Sequence, residues 1–281
     1  MDILRIEPQG FCRGVEIAID KSLNLKLNNN VYCLGALIHN QIMVNRLKEK
    51  GISTISKKGA TRLELLDLVP DNSFVIISAH GASPAVFKKA EEKGLKIVDA
   101  TCAFVYKTHN EIKKYLSLGY DIYYIGAKGH AEAEGACGIS DKIHLISNID
   151  DIDLYSFSDK SFVINQTTMS LYDIKEFHKR IKAKNPNVVI SNTICMATTK
   201  RQEAVINARP CDLFIIVGDK MSSNTGKLYK LASAKSNSIM VESLNELKDY
   251  DFKNINTINI TSGASTPSDV VDEIINFLKS K

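Results

Sequence analysis

The chain has 281 residues, of which 44% are hydrophobic and 24% charged, and a net charge of +4. This composition is typical of a globular protein with room for two or three compact units. The charge is too small and dispersed to indicate nucleic-acid binding, and no apolar run is long enough to span a bilayer. The amino terminus enters a strand pattern without a charged leader, so we expect a cytoplasmic protein whose six cysteines stay reduced.

In the first third of the chain, short apolar runs alternate with polar loops. The run ILRI leads to GFCRGV around Cys12, VYCL leads to GALIHN (35–40), and FVII leads to SAHGASP (78–84). An amphipathic segment follows at 84–94, and the next apolar run leads to Cys102. Buried runs that alternate with amphipathic helices indicate an α/β fold with mostly parallel sheets, and the loops then lie at the carboxyl ends of strands.

The same organisation occurs twice more. DIYYI precedes GAKGHA (126–131), FVI precedes NQTTMS (165–170), and VVISNTIC ends at Cys195. In the last third, LFIIV precedes GDKMSSN (218–224) and INI precedes TSGASTP (261–267). Helical patterns follow at 172–184 and 268–281. With the Cys102 loop counted in the second third and the Cys195 loop in the last, the chain offers nine polar loops, three from each third.

The spacing of three cysteines reveals the repeat most clearly. Cys102 follows Cys12 by 90 residues, and Cys195 follows Cys102 by 93. This period predicts three pseudo-threefold-related α/β lobes, arranged so that the three thiols converge. We expect the lobes to comprise residues 14–101, residues 102–194, and residues 195–281 together with 1–13. The glycines that open one loop family repeat at a similar period: Gly35, Gly126 and Gly218.

Three converging thiolates can hold an iron–sulfur cluster and leave one iron without a protein ligand, so the pattern indicates a metalloenzyme. A zinc site formed by these thiols and a histidine is the alternative, because ligand count alone does not select the metal. The other cysteines lie in apolar or unrepeated segments and are predicted to be structural: Cys33, Cys137 and Cys211.

The loops also carry histidines and a carboxylate. His39, His80 and His130 lie in repeat loops, which favours anion binding or proton transfer. Glu132, two residues beyond His130, could relay protons, whereas Glu134 suits the first turn of a helix, where it complements the macrodipole. Loops so rich in hydrogen-bond donors suit an anionic, oxygen-rich ligand. The remaining histidines lie in helix or strand patterns and are predicted to fill core or surface: His109, His144 and His178.

The motifs that contain these residues resemble those of a known family. The motifs GFCRGV, HN at 39–40, SAHG, DATC, GHxE, QTT, CxATTxRQEA, SSN and GAS follow in the order and spacing of the 4-hydroxy-3-methylbut-2-enyl diphosphate reductase family, also called IspH or LytB. The resemblance covers the whole chain. It implies a three-lobed α/β fold around a [4Fe-4S] cluster. It also implies reductive removal of an allylic hydroxyl to give isopentenyl and dimethylallyl diphosphate, the last step of the methylerythritol phosphate route.

The resemblance also implies roles for individual residues. Cys12, Cys102 and Cys195 would hold three irons, and the fourth iron would take the substrate hydroxyl. Glu132 and Thr167 would relay protons together with His130, and a ferredoxin or flavodoxin would supply electrons. Ala103 and Ala131 stand where many members have proline, which would have fixed a backbone angle. The residues implied to bind the diphosphate substrate are His39, His80, His130, Thr167, Ser222, Ser223, Asn224 and Ser265.

Two other interpretations are open at this point. Quinolinate synthase and the diphthamide-forming radical enzymes similarly hold a [4Fe-4S] cluster with three cysteines from three pseudo-repeated domains, but the motifs quoted above distinguish them. A non-catalytic iron–sulfur sensor or electron carrier is the second alternative. Such a protein would need neither a diphosphate pocket nor Glu132.

Overall fold

The computed structural model describes residues 1–25, 30–169 and 171–281, with only the backbone described for 171 and 172. The chain forms two compact units. Unit 1 comprises Met1–Val15, His39–Met43 and Met196–Lys281, and unit 2 comprises Glu16–Ile38 and Val44–Cys195.

Unit 1 contains one four-stranded sheet in the order β1-β12-β10-β11. Each neighbouring pair is parallel, and β1 pairs with β12 in a register that sets Ile3 beside Ile258. The amino-terminal strand thus completes a sheet built otherwise from the last third of the chain. Its strands are β1 (Asp2–Arg5), β10 (Leu213–Val217), β11 (Ser238–Val241) and β12 (Thr257–Ser262).

Unit 2 contains two further four-stranded parallel sheets, in the orders β3-β2-β4-β5 and β7-β6-β8-β9. The strands of the first are β2 (Val31–Leu34), β3 (Ile52–Ile55), β4 (Phe74–Ile77) and β5 (Lys96–Asp99). Those of the second are β6 (Asp121–Ile125), β7 (Ile143–Ile146), β8 (Ser161–Asn165) and β9 (Val189–Ile190).

All three sheets have the same topology. In each, the first strand of the repeat lies between the second and the third, and the fourth occupies the edge beyond the third. The strand β1 takes the place in its sheet that β5 and β9 take in theirs. The prediction of three α/β lobes with parallel sheets is therefore confirmed. The lobe boundaries at 13/14, 101/102 and 194/195 stay a prediction.

Both faces of each sheet are covered, as expected when crossover helices join parallel strands. In β10, Leu213, Ile215 and Val217 join one buried cluster, while Phe214 and Ile216 join another. Strand residues alternate between faces, so a strand buried on both faces reads as the continuous apolar run LFIIV. Burying each such side chain contributes roughly 1.5–3 kcal/mol of transfer free energy.

The helices confirm the amphipathic patterns seen in the sequence. Pro84 begins α4, at a position where its missing N–H costs nothing, and α10 turns Val270, Ile274 and Leu278 to the core. Among the described residues, no helix is both long and apolar enough to cross a membrane. The helices are α1 (Arg13–Leu23), α2 (Gln41–Glu49), α3 (Arg62–Leu65), α4 (Pro84–Glu92), α5 (Ala103–Ser117), α6 (Ala131–Cys137), α7 (Leu171–Lys184), α8 (Met196–Asn207), α9 (Ser223–Ser233) and α10 (Ser268–Lys279).

Candidate active site

The three repeated cysteines occupy equivalent positions. Cys12 follows β1, Cys102 follows β5 and Cys195 follows β9, the equivalent edge strands of the three sheets. Each cysteine also directly precedes a helix, α1, α5 or α8. The amino terminus of a helix carries partial positive charge, which suits a negatively charged group bound beside it. All three side chains are partly exposed, as a ligand that must reach a bound group should be.

The Cys12 loop is fixed by hydrogen bonds within unit 1. The Cys12 N–H donates to the Ala264 carbonyl at 3.0 Å, and Arg201 donates to the Gly10 carbonyl at 2.7 Å. Gly10 has φ +70°, and a Cβ there would lie 2.4 Å from the Ser268 hydroxyl oxygen, so only glycine suits this turn. Arg201 is buried and belongs to the motif CxATTxRQEA, but its role in shaping the Cys12 loop was not predicted.

The Cys102 loop in unit 2 repeats this arrangement. The Cys102 N–H donates to the carbonyl of Ala79 at 3.0 Å, and Ala79 is the second residue after β4, as Ala264 is after β12. Cys102 itself has an extended backbone and caps α5. In both repeats, therefore, a backbone hydrogen bond holds the loop that carries the cysteine to the neighbouring loop, although the loop sequences differ.

The segment before Cys195 is anchored by a carboxylate from α5. Glu111 accepts hydrogen bonds from the Ser191 hydroxyl at 2.6 Å and from the Thr193 hydroxyl at 2.8 Å. Cys102 caps α5, the helix that carries Glu111. The Glu111 carboxylate therefore connects the helix that follows Cys102 with the segment that precedes Cys195. No local sequence pattern indicates this role, since Glu111 lies in an ordinary helix pattern.

The other three cysteines are placed as structural residues should be. Cys33 is fully buried in β2, and burial raises the pKa of its thiol to about 12 despite the nearby Arg62. Burial also raises the pKa of Cys137, at the end of α6, to about 11. The Cys211 thiol donates to the Leu213 carbonyl at 3.2 Å. Thiols with raised pKa values are poor metal ligands, because the thiolate is the binding form.

Glu132 lies in a buried hydrogen-bonded cluster of unit 2. Its side chain is only 1% exposed. One carboxylate oxygen accepts from the Thr167 N–H at 2.7 Å and, more weakly, from the Tyr124 hydroxyl at 3.4 Å. The other accepts from the Thr167 hydroxyl at 3.1 Å. The structure therefore brings together Glu132 and Thr167, two of the three residues expected to relay protons.

Burial raises the pKa of Glu132 from 4.5 to about 7, although its hydrogen bonds from Thr167 and Tyr124 oppose the shift. Loss of solvent penalises the charged form, and no cationic side chain is among the causes that offset it. The pKa of Tyr124 is raised well above its usual range by burial and by the neighbouring Glu132. Glu132 can therefore carry a proton near neutral pH, as a general acid must.

His130 and His80 lie close together in unit 2. Their ring centroids are 5.5 Å apart in an edge-to-face arrangement. His130 caps α6, and its Nδ1 accepts the Glu132 N–H at 3.1 Å. An accepting Nδ1 carries no proton, so the ring proton of neutral His130 is on Nε2. The Nδ1 of His80 lies 3.3 Å from the Ser78 hydroxyl oxygen.

Glu134 makes a contact that the sequence pattern did not indicate. It lies in the first turn of α6, as expected, but its carboxylate accepts the Arg62 N–H at 2.7 Å, the first amide of α3. A carboxylate oxygen also lies 3.8 Å from Nη1 of Arg62. Glu134 thus stabilises the start of another helix rather than serving its own helix alone.

In unit 1, the predicted anion-binding residues lie at the start of α9 and in the loop after β12. The Ser222 hydroxyl caps α9 by accepting from the Thr225 N–H, and Ser223 and Asn224 form the first turn. The Ser265 hydroxyl donates to the backbone carbonyl of His39 at 2.9 Å. The structure thus brings Ser265 together with the loop that carries His39.

Asn224 is the residue of unit 1 whose environment most clearly indicates a ligand. It is 4% exposed, and among the described residues neither its side-chain oxygen nor its nitrogen has a hydrogen-bond partner. Leaving a buried amide unsatisfied costs about 1–3 kcal/mol, so such a group is retained where a ligand completes its hydrogen bonds. A helix amino terminus beside it favours an anion.

The alanines at the expected proline positions and the histidines outside the repeat loops have ordinary structural environments. Ala103 and Ala131 are each the first residue of a helix, a position that suits proline, and both helices form without it. Burial lowers the pKa of His109 to about 4 and also lowers the pKa of His178, which fits core filling. His144 packs against the ring of Tyr123. Ser170, the end of the loop 165–170, lies outside the described residues.

Comparison with known proteins gives consistent results. A family model described as LytB protein matches residues 3–279. A protein of Bacillus subtilis named 4-hydroxy-3-methylbut-2-enyl diphosphate reductase is 42% identical over 99% of this chain and 91% of its own length. One of Halalkalibacterium halodurans with the same name is 40% identical over the same shares of the two chains.

Two solved structures are also similar. The E-1-hydroxy-2-methyl-but-2-enyl-4-diphosphate reductase from Plasmodium falciparum has a TM-score of 0.91 and 32% identity, over 99% of this chain and 88% of its own. A structure described as (E)-4-hydroxy-3-methyl-but-2-enyl diphosphate reductase, the terminal enzyme of the non-mevalonate pathway, has a TM-score of 0.71 and 30% identity over the whole of both chains.

Proposed function

Because the chain belongs to the LytB family, we propose that it reduces 4-hydroxy-3-methylbut-2-enyl diphosphate to isopentenyl diphosphate and dimethylallyl diphosphate. This is the terminal reaction of the non-mevalonate, or methylerythritol phosphate, route, and the chain is an iron–sulfur oxidoreductase. The structural observation that supports it most directly is the equivalent placement of three cysteines, each between an edge strand and a helix start.

We propose that Cys12, Cys102 and Cys195 hold a [4Fe-4S] cluster. The donor set fits, since thiolates are the usual ligands of iron–sulfur clusters and each thiol lies at the positive end of a helix. With three protein ligands, one iron of such a cluster would have no ligand from the protein. When bound, such a cluster supplies electrons and a Lewis-acidic position for a hydroxyl group.

The proposed role of the polar loops is to bind the diphosphate. In unit 2 these are His80 and His130, with Thr167, and in unit 1 the proposed binding residues are His39, Ser222, Ser223, Asn224 and Ser265. Support comes from the Nε2–H tautomer of His130 and from the unsatisfied, buried amide of Asn224. Hydrogen bonds to the diphosphate, remote from the reacting carbon, supply binding energy that orients the allylic alcohol.

Glu132 is proposed to deliver the proton that the departing hydroxyl takes. Its raised pKa keeps a proton on the carboxyl group near neutral pH, and Thr167 fixes the carboxyl group through its amide and its hydroxyl. A non-catalytic iron–sulfur sensor would have no use for a buried, protonatable carboxyl group, so the environment of Glu132 favours an enzyme. We further propose a ferredoxin or flavodoxin as electron donor and a reducing, cytoplasmic compartment, in which the thiols stay reduced.

The test is an anaerobic preparation assayed for iron, for sulfide and for dithionite-driven conversion of the allylic diphosphate. We expect about four irons per chain in the wild type. Cys102→Ser should lose most of its iron and its turnover, whereas the matched control Cys211→Ser should keep both. Full iron content and turnover in Cys102→Ser would contradict the cluster assignment. An iron-replete wild type that fails to convert the allylic diphosphate would contradict the reaction.

A further inference from the structure

A buried arginine of α3, Arg62, contacts the two loops of unit 2 that carry His80 and His130. Its side chain is 6% exposed. Nη1 donates to the carbonyl of Ala131 at 2.9 Å, and Ala131 is the residue between His130 and Glu132. Nη2 donates to the Ser78 hydroxyl oxygen at 3.0 Å. One guanidinium group thus holds both loops, which lie 53 residues apart from Ser78 to Ala131.

The contact with Ser78 favours the tautomer of His80 that carries its proton on Nε2. The Ser78 oxygen accepts from Arg62, so its own hydrogen is available to donate to His80 Nδ1, 3.3 Å away. The nearby cationic guanidinium also polarises the hydroxyl group and makes it a better donor. An accepting Nδ1 leaves the ring proton of neutral His80 on Nε2.

His130 reaches the same state by a different route. Its Nδ1 accepts the Glu132 N–H at the start of α6, and this helix start is the segment that Arg62 holds through Ala131. Both imidazoles therefore direct Nδ1 to the protein and keep Nε2 as the donor. A donating Nε2–H is what binding of an anionic oxygen requires from a neutral imidazole.

Arg62 is itself held by Glu134, which accepts its backbone N–H at 2.7 Å and lies 3.8 Å from Nη1. A buried cation needs such a carboxylate, because an uncompensated buried charge is strongly destabilising. Balancing the charge of Glu134 would require only that ion pair. The guanidinium group also donates two hydrogen bonds to the loops that carry His80 and His130. The position of Arg62 therefore supports the site as well as the fold.

We infer that Arg62 is a positioning residue for substrate binding, which fixes the Nε2–H tautomer of His80 through Ser78 and holds the helix start that carries His130 and Glu132. The inference rests on the proposed function, since the diphosphate is the group that the two imidazoles would bind. Arg62 does not touch the substrate in this scheme and acts only through these residues.

The experiment compares anaerobic holoenzymes of wild type, Arg62→Gln and Ser78→Ala. The matched control is Arg180→Gln, which breaks the ion pairs of Arg180 with Asp150 and Asp153 elsewhere in unit 2. Long-range proton–nitrogen spectra of the histidine rings report the tautomer without substrate. Dithionite-driven assays give KM and kcat separately, and iron analysis shows whether the cluster is intact.

In Ser78→Ala, we expect the ring-nitrogen spectrum of His80 to show a mixture of tautomers instead of the Nε2–H form alone. KM for the allylic diphosphate should rise about tenfold, as for the loss of one hydrogen bond to a charged group. Iron content and kcat should stay near the wild-type values. Arg62→Gln should show the same changes together with a lower kcat, because the helix start that carries Glu132 loses its anchor. Arg180→Gln should match the wild type in all readouts.

Unchanged His80 spectra and KM in Ser78→Ala, with a wild type that turns over, would overturn the inference and leave the proposed function intact. Should Arg62→Gln fail to fold, Ser78→Ala decides alone, because it keeps the contacts of Arg62 with Ala131 and Glu134. If the wild type does not turn over, the proposed function fails, while the ring-nitrogen spectra still decide whether Ser78 and Arg62 set the tautomer.

Discussion

Glu132 and Thr167 share two hydrogen bonds although 35 residues separate them in the chain. The Thr167 amide donates to one carboxylate oxygen at 2.7 Å, and its hydroxyl lies 3.1 Å from the other. The arrangement joins the start of α6 to the loop after β8 and holds the carboxyl group in one orientation. A group that must donate a proton to a bound substrate needs such a fixed position.

Glu132→Gln should bind substrate with nearly wild-type affinity but turn over far more slowly. Glutamine keeps the shape and an acceptor for the Thr167 amide, but it has no proton to deliver. General acid–base groups contribute about 10²–10⁴-fold, which sets the expected loss in kcat. Dithionite-driven turnover and calorimetry on anaerobic protein give the two quantities. The control is Glu92→Gln at the exposed end of α4, and equal kcat values in the two variants would contradict the role of Glu132.

The pH dependence of kcat should report the same carboxyl group. The pKa of Glu132 is raised to about 7, chiefly by burial, so its protonated fraction falls as pH rises through that value. We expect kcat to decline above about pH 7 for this reason. The residual turnover of Glu132→Gln should lack this decline, and a decline of the same shape in both proteins would assign it to another group.

Protein stability should respond to pH with a defined sign. The folded state holds the Glu132 proton up to pH of about 7, whereas the unfolded chain releases it near 4.5. Between these values the folded state binds more protons, so the free energy of unfolding falls as pH rises, by roughly 3 kcal/mol in total. Urea midpoints of wild type and Glu132→Gln measured from pH 5 to pH 8 give the difference. The advantage of wild type should shrink across this window, and a constant difference would contradict the raised pKa.

The sequence predicted the fold and the placement of the loops well because those features are local. An apolar run, a Gly- or Ser-rich loop and an amphipathic helix are each recognisable within about fifteen residues, and parallel topology brings equivalent loops to equivalent strand ends. The three repeated cysteines were predicted as candidate ligands in this way. Their period added information that no single segment carries.

The supporting residues could not be predicted in the same way. Arg62 reaches Ala131 across 69 positions, Arg201 reaches Gly10 across 191, and Glu111 reaches Ser191 across 80. Such contacts depend on how lobes and loops pack, which periodicity does not encode. The raised pKa of Glu132 belongs to the same class, since burial of its carboxyl group in the folded protein causes it against the opposing hydrogen bonds from Thr167 and Tyr124.

Asn224→Ala should separate ligand binding from stability. Within the described part of the chain, the Asn224 side-chain amide has no hydrogen-bond partner, so its removal takes no internal hydrogen bond from the ligand-free protein. Relief of the unsatisfied amide and loss of the packed side chain have opposite signs, so we expect the free energy of unfolding to change by less than about 1 kcal/mol. Affinity for inorganic pyrophosphate should fall roughly ten- to a hundredfold. Calorimetry and urea unfolding test both parts. Asn110→Ala on the exposed face of α5 is the control, and unchanged pyrophosphate affinity in Asn224→Ala would place the anion elsewhere.

Glu111 should govern how firmly the proposed cluster is held, although it is not a ligand. Its carboxylate accepts from the hydroxyls of Ser191 and Thr193, which lie four and two residues before Cys195. Residues that orient metal ligands typically contribute 10- to 100-fold to metal affinity, so Glu111→Ala should release iron to a chelator about tenfold or more faster than wild type. Glu111→Gln keeps one acceptor oxygen and should lie between the two.

The matched control for this prediction is Glu176→Ala, which removes an exposed carboxylate from α7 without touching the Cys195 segment. Iron release is followed anaerobically by chelator absorbance, with the thermal midpoint of each variant measured in parallel. Because Glu111 supports two loop hydroxyls rather than the core, its loss should accelerate iron release more than it lowers the midpoint. Equal release rates in Glu111→Ala and Glu176→Ala would show that the hydrogen bonds to Ser191 and Thr193 do not determine how Cys195 is presented.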